Sequence, residues 1–264
     1  MFQRGGGDIT GAIVARCLDA DLYENWTDVS GFLSADPRIV QNPRAIGRIT
    51  FDEMRELSYM GASVLQEEAI FPVREANIPI QIKNTNRPED TGTVIRETAD
   101  GDTNEHLITG IAGKKDFLAI HVKKAHMSNE VGVISRALNI VERYGVSVEH
   151  IPTGVDSFGI VVNASDVKDT VYSIISDIRR EIEPDDITMV DRLALVSVVG
   201  RNMSRRSGTS GKIFGALGNA GVNIRMITQS SEEISIIVGV DNADFDRTIG
   251  VIYNGFVRDE MVSR

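Results

Sequence analysis

Several short stretches of this chain carry residue types that can do chemistry. Arg4-Gly5-Gly6-Gly7-Asp8 runs straight into a helical pattern. Glycines let a backbone come close to a ligand, and a helix N-terminus offers free N–H groups to an anion. Arg4 could fork onto a carboxylate while Asp8 holds an ammonium, a pair that suits an amino-acid zwitterion. The alternative is a flexible tail with Asp8 as a simple N-cap. Trp26-Thr27-Asp28 ends a strand pattern and is followed by Gly31 and Ala35-Asp36-Pro37-Arg38. Loops at the carboxyl ends of α/β strands commonly bind nucleotides, with Thr27 and Asp28 toward a nucleoside and Arg38 toward phosphate. The alternative is a plain turn, since Asp-Pro and Gly are turn residues anyway. Further on, Ser128-Asn129-Glu130-Val131-Gly132 opens a helix, and Ser147-Val148-Glu149 lies on a neighbouring strand pattern. A small amino acid could rest its carboxylate on the helix N–H groups and its ammonium near Glu149. The alternative is a capping loop beside an exposed carboxylate.

Other chemistries lack support. The four histidines, His106, His121, His126 and His150, have no metal-ligand spacing, so no metal site is expected. No Walker A sequence is present, and nothing resembles a Ser/His/Asp or Cys/His arrangement. Cys17 is the only cysteine, which excludes internal disulfides. Lys+Arg is 28 against Asp+Glu 38, a net charge of −10 that would repel a phosphate backbone. No nucleic-acid partner is expected. No apolar run is long enough to cross a bilayer and no signal-peptide pattern opens the chain, so a cytoplasmic location without membrane association is expected. Apolar residues at 42% suffice to bury real cores across 264 residues.

The elements that position these stretches fall into two regions. The last 160 residues contain an internal repeat offset by about 76 residues. Phe117–Val122 falls on Leu193–Val198, Gly132 on Gly208, Gly145–Ile151 on Gly221–Ile227, and Phe158–Val162 on Ile234–Val238. Each unit reads as a β-branched strand (117–123; 193–199) and a helix, with Ile134, Leu138 and Val141 inward in one and Ile213, Leu217 and Ala220 in the other. Gly145 or Gly221 ends that helix as a C′ residue. Two short strands follow (146–151 and 157–163; 222–228 and 233–239). A second helix closes each unit, capped by Ser165 over Val167, Val171, Ile174, Ile178 and Ile182, or by Asp241 over Phe245, Ile249, Ile252 and Phe256. A closing strand is expected near 186–190. This order is the ferredoxin-like split unit, whose bare sheet face and free edges invite pairing.

Residues 1–100 read as α/β: a helix over Asp8–Leu18, a strand over Asp21–Trp26, helices over Phe51–Tyr59 and Ser63–Glu75, and strands over Ile78–Lys83 and Thr93–Ile95. Residues 96–106 are polar and aperiodic, and read as a linker.

The same stretches resemble the aspartate kinase signature. Arg4–Asp8, Trp26-Thr27-Asp28-Val29 and Ala35–Arg38 match it, continued by Tyr59–Leu65 and by Ile78–Ile80, Lys83–Asn86 and Gly92-Thr93. Residues 106–264 resemble the paired ACT domains of that family, including Gly221-Val222-Asn223-Ile224. The resemblance implies an α/β chain: a partial amino-acid-kinase domain followed by two ferredoxin-like βαββαβ ACT domains. Residues 1–100 would be the C-terminal part of the catalytic domain and 101–264 the regulatory region. The first ACT domain would cover about 115–190 and the second about 106–113 plus 191–264, one inserted in the other. It implies ATP-dependent phosphorylation of the L-aspartate β-carboxylate, on the way to lysine, threonine and methionine, with Mg²⁺ accompanying ATP. Arg4 and Asp8 would contact aspartate, and Thr27, Asp28 and Arg38 the nucleotide. Lysine or threonine would bind as effector at Asn129, Gly132, Ile134, Ser147, Glu149 and Thr153 in the first unit, and at Asn223, Ile224 and Glu233 in the second. A homo-oligomer joined through ACT domains, or assembly with a fuller aspartate kinase chain, is implied.

Four departures mark this sequence. Gly7 replaces the signature serine, Ser63 a lysine placed at the nucleotide, Gln66-Glu67 a common His-Pro, and Glu232 a serine beside the effector. The family's Lys-Phe-Gly-Gly strand and loop, with its catalytic lysine, does not occur in these 264 residues. The expectation is little or no kinase turnover by the chain alone. A sensing subunit or a truncated gene product are the alternatives.

Overall fold

The structure, a computed structural model, describes residues 6–62, 64–65, 70–98, 106–229 and 232–258. The chain begins with α1 (Gly6–Cys17), β1 (Tyr23–Thr27), β2 (Arg48–Thr50), α2 (Phe51–Tyr59), α3 (Phe71–Glu75), β3 (Ile80–Asn84) and β4 (Thr93–Arg96). It continues with β5 (Gly110–Lys123), α4 (Val133–Arg143), β6 (Ser157–Asn163), α5 (Val171–Ile182) and β7 (Asp186–Val199). Next come α6 (Thr209–Asn219), β8 (Met226–Gln229), β9 (Ser235–Asp241) and α7 (Phe245–Ile252), followed by a π-helical stretch over Tyr253–Arg258.

The strands form two sheets, ordered β1-β3-β4-β2 and β6-β5-β7-β9-β8. In the first, β1 and β3 are parallel with Thr27 opposite Asn84, so their carboxyl ends open on the same side. β2, a strand the sequence pattern does not announce, runs parallel to β4. The second sheet joins both repeat units. β5 and β7 are each 14 residues long and pair along their length, from Gly110 opposite Val199 to Lys123 opposite Asp186. The register breaks at Lys114–Phe117, where Asp116 takes a positive φ of 68°. The Asn242 amide side chain secures that break, donating to the Asp116 carboxylate (2.6 Å) and accepting from its N–H (3.2 Å). Beyond it β5 is flanked by β6, while the end of β7 is flanked by β9.

Side-chain alternation sorts this sheet into two faces. Leu118, Ile120 and Val122 of β5 join the core under α4 and α5. Ala194, Val196 and Val198 of β7 join Ile236, Val238 and Val240 of β9 under α6 and α7. The intervening Phe117, Ala119, Leu193, Leu195 and Ile237 point the other way, into one cluster with Met54 and Leu57 of α2 and with Ile80, Ile82 and Ile95 of the first sheet. The face a lone ferredoxin-like unit leaves bare is thus partly covered by α2.

The helices end as the glycines dictate. Gly145 (φ 67°) and Gly221 (φ 70°) follow α4 and α6, and their N–H groups donate to the Glu142 and Gly218 carbonyls (2.8 and 2.9 Å). Elsewhere the fold corrects the sequence reading. The α4 stripe keeps the expected Val141 and adds Val133, Ala137 and Ile140, while Ile134 and Leu138 are only half-buried, because the face packed on the core is the one that carries Val133 and Ala137. Of the helix expected over Ser63–Glu75, only Phe71–Glu75 forms among the described residues, with Pro72 in its first turn, where a missing N–H costs nothing. Residues 146–151 form no continuous strand. They touch β6 through an isolated bridge, His150 to Val161, and Pro152 just beyond has no N–H for a ladder. Ser165 does not cap α5: its hydroxyl binds Asn163 and Asp166, and the helix begins six residues later, after Thr170. Asp241 precedes a 3₁₀ turn before α7 and makes no side-chain cap. Most of the linker lies outside the described residues, and no described helix is long and apolar enough to cross a membrane.

Candidate active site and effector groove

Beyond the carboxyl ends of β1 and β3 lies a cleft of about 940 Å³. Asp28, Gly31, Asp36, Pro37 and Arg38 form one wall, Met60, Gly61, Ala62 and Val64 a second, and Asn84, Arg87 and Asp90 a third. The fourth comes from the second repeat unit, through Ile111–Gly113, Lys115, Phe245 and Ile249. The 28–38 loop is stitched down behind the cleft. The Thr93 hydroxyl accepts from the Phe32 N–H (2.8 Å) and donates to the Ile46 carbonyl (2.6 Å). Gly31 lies against Thr93 with φ +100°, a backbone that a side chain there would both strain and block. The Ser30 hydroxyl donates to Asp90 (2.5 Å) and accepts from the Asn84 amide (2.8 Å), tying the loop to β3.

Each residue expected at the nucleotide has a defined place. Thr27 ends β1: its carbonyl accepts from Thr85 N–H (2.8 Å) and its hydroxyl donates to Asp28 (3.3 Å). It borders the cleft through Asp28, which lines it. Arg38 also lines the cleft and forks onto Asp36, Nε to Oδ1 at 3.0 Å and Nη2 to Oδ2 at 2.6 Å. The Arg38 hydrogen bonds hold the Asp36 carboxyl below its ordinary range, so the pair stays ionised. The Arg38 side chain is 88% exposed, so its remaining N–H groups face solvent and cleft.

Asp8 sits in the first turn of α1, where its carboxylate accepts from the Asn25 amide (3.0 Å) and its carbonyl from the Tyr23 hydroxyl (3.2 Å). Burial pushes the Tyr23 phenol up. α1 lies so close to β1 that a Cβ at Gly11 would stand 2.7 Å from the Tyr23 oxygen. Arg4, its expected partner, lies outside the described residues, as do Ser63, Gln66 and Glu67.

The residues expected at the effector divide. Ser147 and Glu149 line an open groove of about 690 Å³ together with Leu138, Asn139 and Glu142 of α4 and with His150. Burial pushes the His150 imidazole down, which favours its neutral form beside the Glu149 carboxylate. Asn129 and Gly132 lie at the other end of α4, about 10 Å away at 1.5 Å per residue, and are exposed. Ile134 packs half-buried against the core, and Thr153 bridges to Phe158 past the groove. In the second unit Glu233, at a positive φ of 56°, lines a hollow of about 400 Å³ at the start of α6. Asn223 and Ile224 lie before β8, away from that hollow, and Glu232 is exposed.

Comparison with known proteins bears on this geometry. Residues 2–84 match the amino acid kinase family and residues 196–256 the ACT domain. Aspartokinase 3 of Bacillus subtilis is 40% identical over 263 residues, 99% of this chain and 58% of that protein. The chain belongs to the aspartate kinase family. The crystal structure of Clostridium acetobutylicum aspartate kinase superposes with a TM-score of 0.93 at 52% identity, covering 97% of this chain and 59% of that one. Aspartokinase III of E. coli, solved with aspartate and ADP in an R-state, gives a TM-score of 0.77 at 25% identity over 96% of this chain and 56% of that one. Its T-state complex with lysine and aspartate gives 0.79 at 25%, over 97% and 56%. The chain therefore spans between half and two thirds of the length of each of these relatives.

Two features of this aspartate kinase relative escape a reading by family motif. Glu53, with no exposed side-chain surface, ties α2 to the second repeat unit. It accepts from Thr50 N–H (3.0 Å), the Thr109 hydroxyl (2.6 Å), Arg201 N–H (3.0 Å) and Arg201 Nη1 (2.8 Å). The pattern Thr50-x-x-Glu53 is a capping box and announces part of this. At the other end of α2, the Tyr59 hydroxyl donates to Glu149 at 2.5 Å, a contact no local pattern announces.

Proposed function

We propose that this chain carries the nucleotide-binding and amino-acid-sensing parts of an aspartate kinase, which transfers the γ-phosphoryl group of ATP to the β-carboxylate of L-aspartate in lysine, threonine and methionine synthesis. The observation that carries the reading is the convergence of Asp28, Arg38, Met60–Ala62 and Val64 on one cleft at the carboxyl ends of parallel β1 and β3. The binding of aspartate and ADP by E. coli aspartokinase III supports the choice of ligands. Residues 1–100 serve as catalytic-domain material. Residues 101–264 serve as the regulatory region, with a first ACT domain over about 115–190 set within a second. Cytoplasmic location goes with this role.

Phosphoryl transfer needs positioning and charge neutralisation more than covalent chemistry. Arg38 suits a phosphate, and Thr27 and Asp28 the nucleoside. Asp8, oriented by Asn25, offers its carboxylate to the substrate ammonium, with Arg4 toward a substrate carboxylate. Mg²⁺ binds through a few carboxylates together with substrate phosphates, and the Asp28 and Asp90 carboxylates on the cleft fit such a set. That ion would neutralise charge on the phosphates. Calorimetric titration with ADP and Mg²⁺ tests the site. Binding should weaken roughly tenfold or more in Arg38→Ala, as for loss of a charge-assisted hydrogen bond. Equal affinity in the variant would remove Arg38 from the site.

Lysine or threonine is the effector. Glu149 and Ser147 on the groove beside α4 carry the ammonium contact, and the lysine complex of E. coli aspartokinase III supports the ligand class. Asn129, Gly132, Ile134 and Thr153, and Asn223, Ile224 and Glu233 of the second unit, do not line this groove. A site shared between two copies, or with a fuller aspartate kinase chain, would bring them together. Light scattering should give at least a dimer; a strict monomer at micromolar concentration would contradict this assembly.

A further inference from the structure

The groove at Glu149 and the cleft beyond β1 are joined by one helix. Tyr59, the last residue of α2, donates its hydroxyl to Glu149 Oε2 at 2.5 Å. The Lys114 ammonium, on β5, lies over the Tyr59 ring 5.2 Å from its centre, so the ring is held independently of its hydroxyl. The three residues that follow, Met60, Gly61 and Ala62, form a wall of the cleft. Their N–H groups donate back to α2, Met60 to the Glu56 carbonyl (3.3 Å), Gly61 to Ser58 (3.0 Å) and Ala62 to Leu57 (2.9 Å), so this wall moves with the helix. Gly61 (φ +103°) lies 3.6 Å from the Lys114 side chain, measured from the position of a Cβ.

We infer that Tyr59 is a positioning residue of the effector site. It fixes the Glu149 carboxylate through Oε2, leaving Oε1 for the ammonium of a bound amino acid, and so couples that ligand to the Met60–Ala62 wall of the nucleotide cleft. The inference rests on the reading of Glu149 as the ammonium contact. Chemistry favours the arrangement: a carboxylate has two oxygens, and a hydroxyl on one sets the plane of the other. Coupling between two sites requires an element that both bias, and α2 is in contact with both. Linkage makes the effect reciprocal, so a nucleotide that shifts this wall alters effector affinity by the factor that the effector alters nucleotide affinity.

The test uses the full 264-residue chain with L-lysine and L-threonine as probes. Affinities are measured by calorimetry, and hydrogen exchange is followed at the Met60, Gly61 and Ala62 amides with and without the amino acid. Tyr59→Phe keeps the ring and the Lys114 contact and removes only the hydroxyl. We expect it to weaken the probe that binds by roughly tenfold, the effect of losing one hydrogen bond to a charged group. The slowing of exchange that the amino acid causes at residues 60–62 in the wild type should disappear. Glu149→Gln is the control, expected to weaken binding more than Tyr59→Phe. If Glu149→Gln weakens binding while Tyr59→Phe binds and protects residues 60–62 like the wild type, Tyr59 has no such role and the Glu149 reading stands. If Glu149→Gln binds normally, or neither probe binds the wild type, the Glu149 reading falls and takes the inference with it.

Discussion

Glu53 is a carboxylate with no exposed surface, held by Thr50, Thr109 and Arg201. Burial alone would push its pKa up, but the donors outweigh it and hold the carboxyl below its ordinary value of 4.5. A depressed folded-state value means the unfolded chain binds the proton more readily. Glu53 therefore stabilises the fold above the ordinary glutamate range, and that contribution is lost as pH falls through its folded-state value. Glu53→Ala should cost about 3 kcal/mol at pH 7 in urea unfolding, since it removes the buried hydrogen bonds to Thr109 and Arg201 and opens the α2 cap. The difference between variant and wild type should shrink as pH falls below the ordinary glutamate range; a pH-independent difference would show that charge is not what Glu53 contributes.

At the level of elements, sequence pattern served well wherever one residue type forces one conformation. Thr50 and Glu53 fix the start of α2, and Gly145 and Gly221 end α4 and α6, because few other residues satisfy those caps. Pattern failed where tertiary context decides. The buried stripe of α4 keeps the expected Val141 but takes Val133 and Ala137 in place of Ile134 and Leu138, which are half-buried though as apolar as the true core residues. Ile140→Ala should therefore destabilise by about 2–5 kcal/mol, and Leu138→Ala on the open groove by clearly less. Similar losses in thermal or urea melts would put the stripe back where the pattern placed it. Residues 146–151 read as a strand by composition yet form only one isolated bridge, because β-propensity needs a partner that Pro152 helps to deny. The candidate cleft was half legible: Asp28 and Arg38 stand in a recognisable loop, whereas Lys115 and Phe245 reach it from strands and helices far along the chain. The Tyr59–Glu149 contact spans 90 residues, and no local periodicity records it.

Across the whole molecule, one apolar cluster runs from the first sheet through α2 to the back of the second. Two regions sharing a core cannot lose it separately without exposing apolar surface on both sides. Unfolding should be a single transition, with fluorescence of Trp26, the sole tryptophan, and far-ultraviolet dichroism coinciding. Two separated transitions would show the shared core to be energetically minor. The long strands β5 and β7 carry a different consequence. The first half of β5 leaves the ribosome early, but its sheet is completed only by the end of β7, with β9 beside it. The unit nested between those halves is contiguous, with β6 and α5 following soon after β5. Synthesis from the N-terminus thus delivers the inner unit whole while its frame still waits for residues not yet made. The unit that carries the Glu149 groove is ready to fold before the part that connects it to the rest of the molecule.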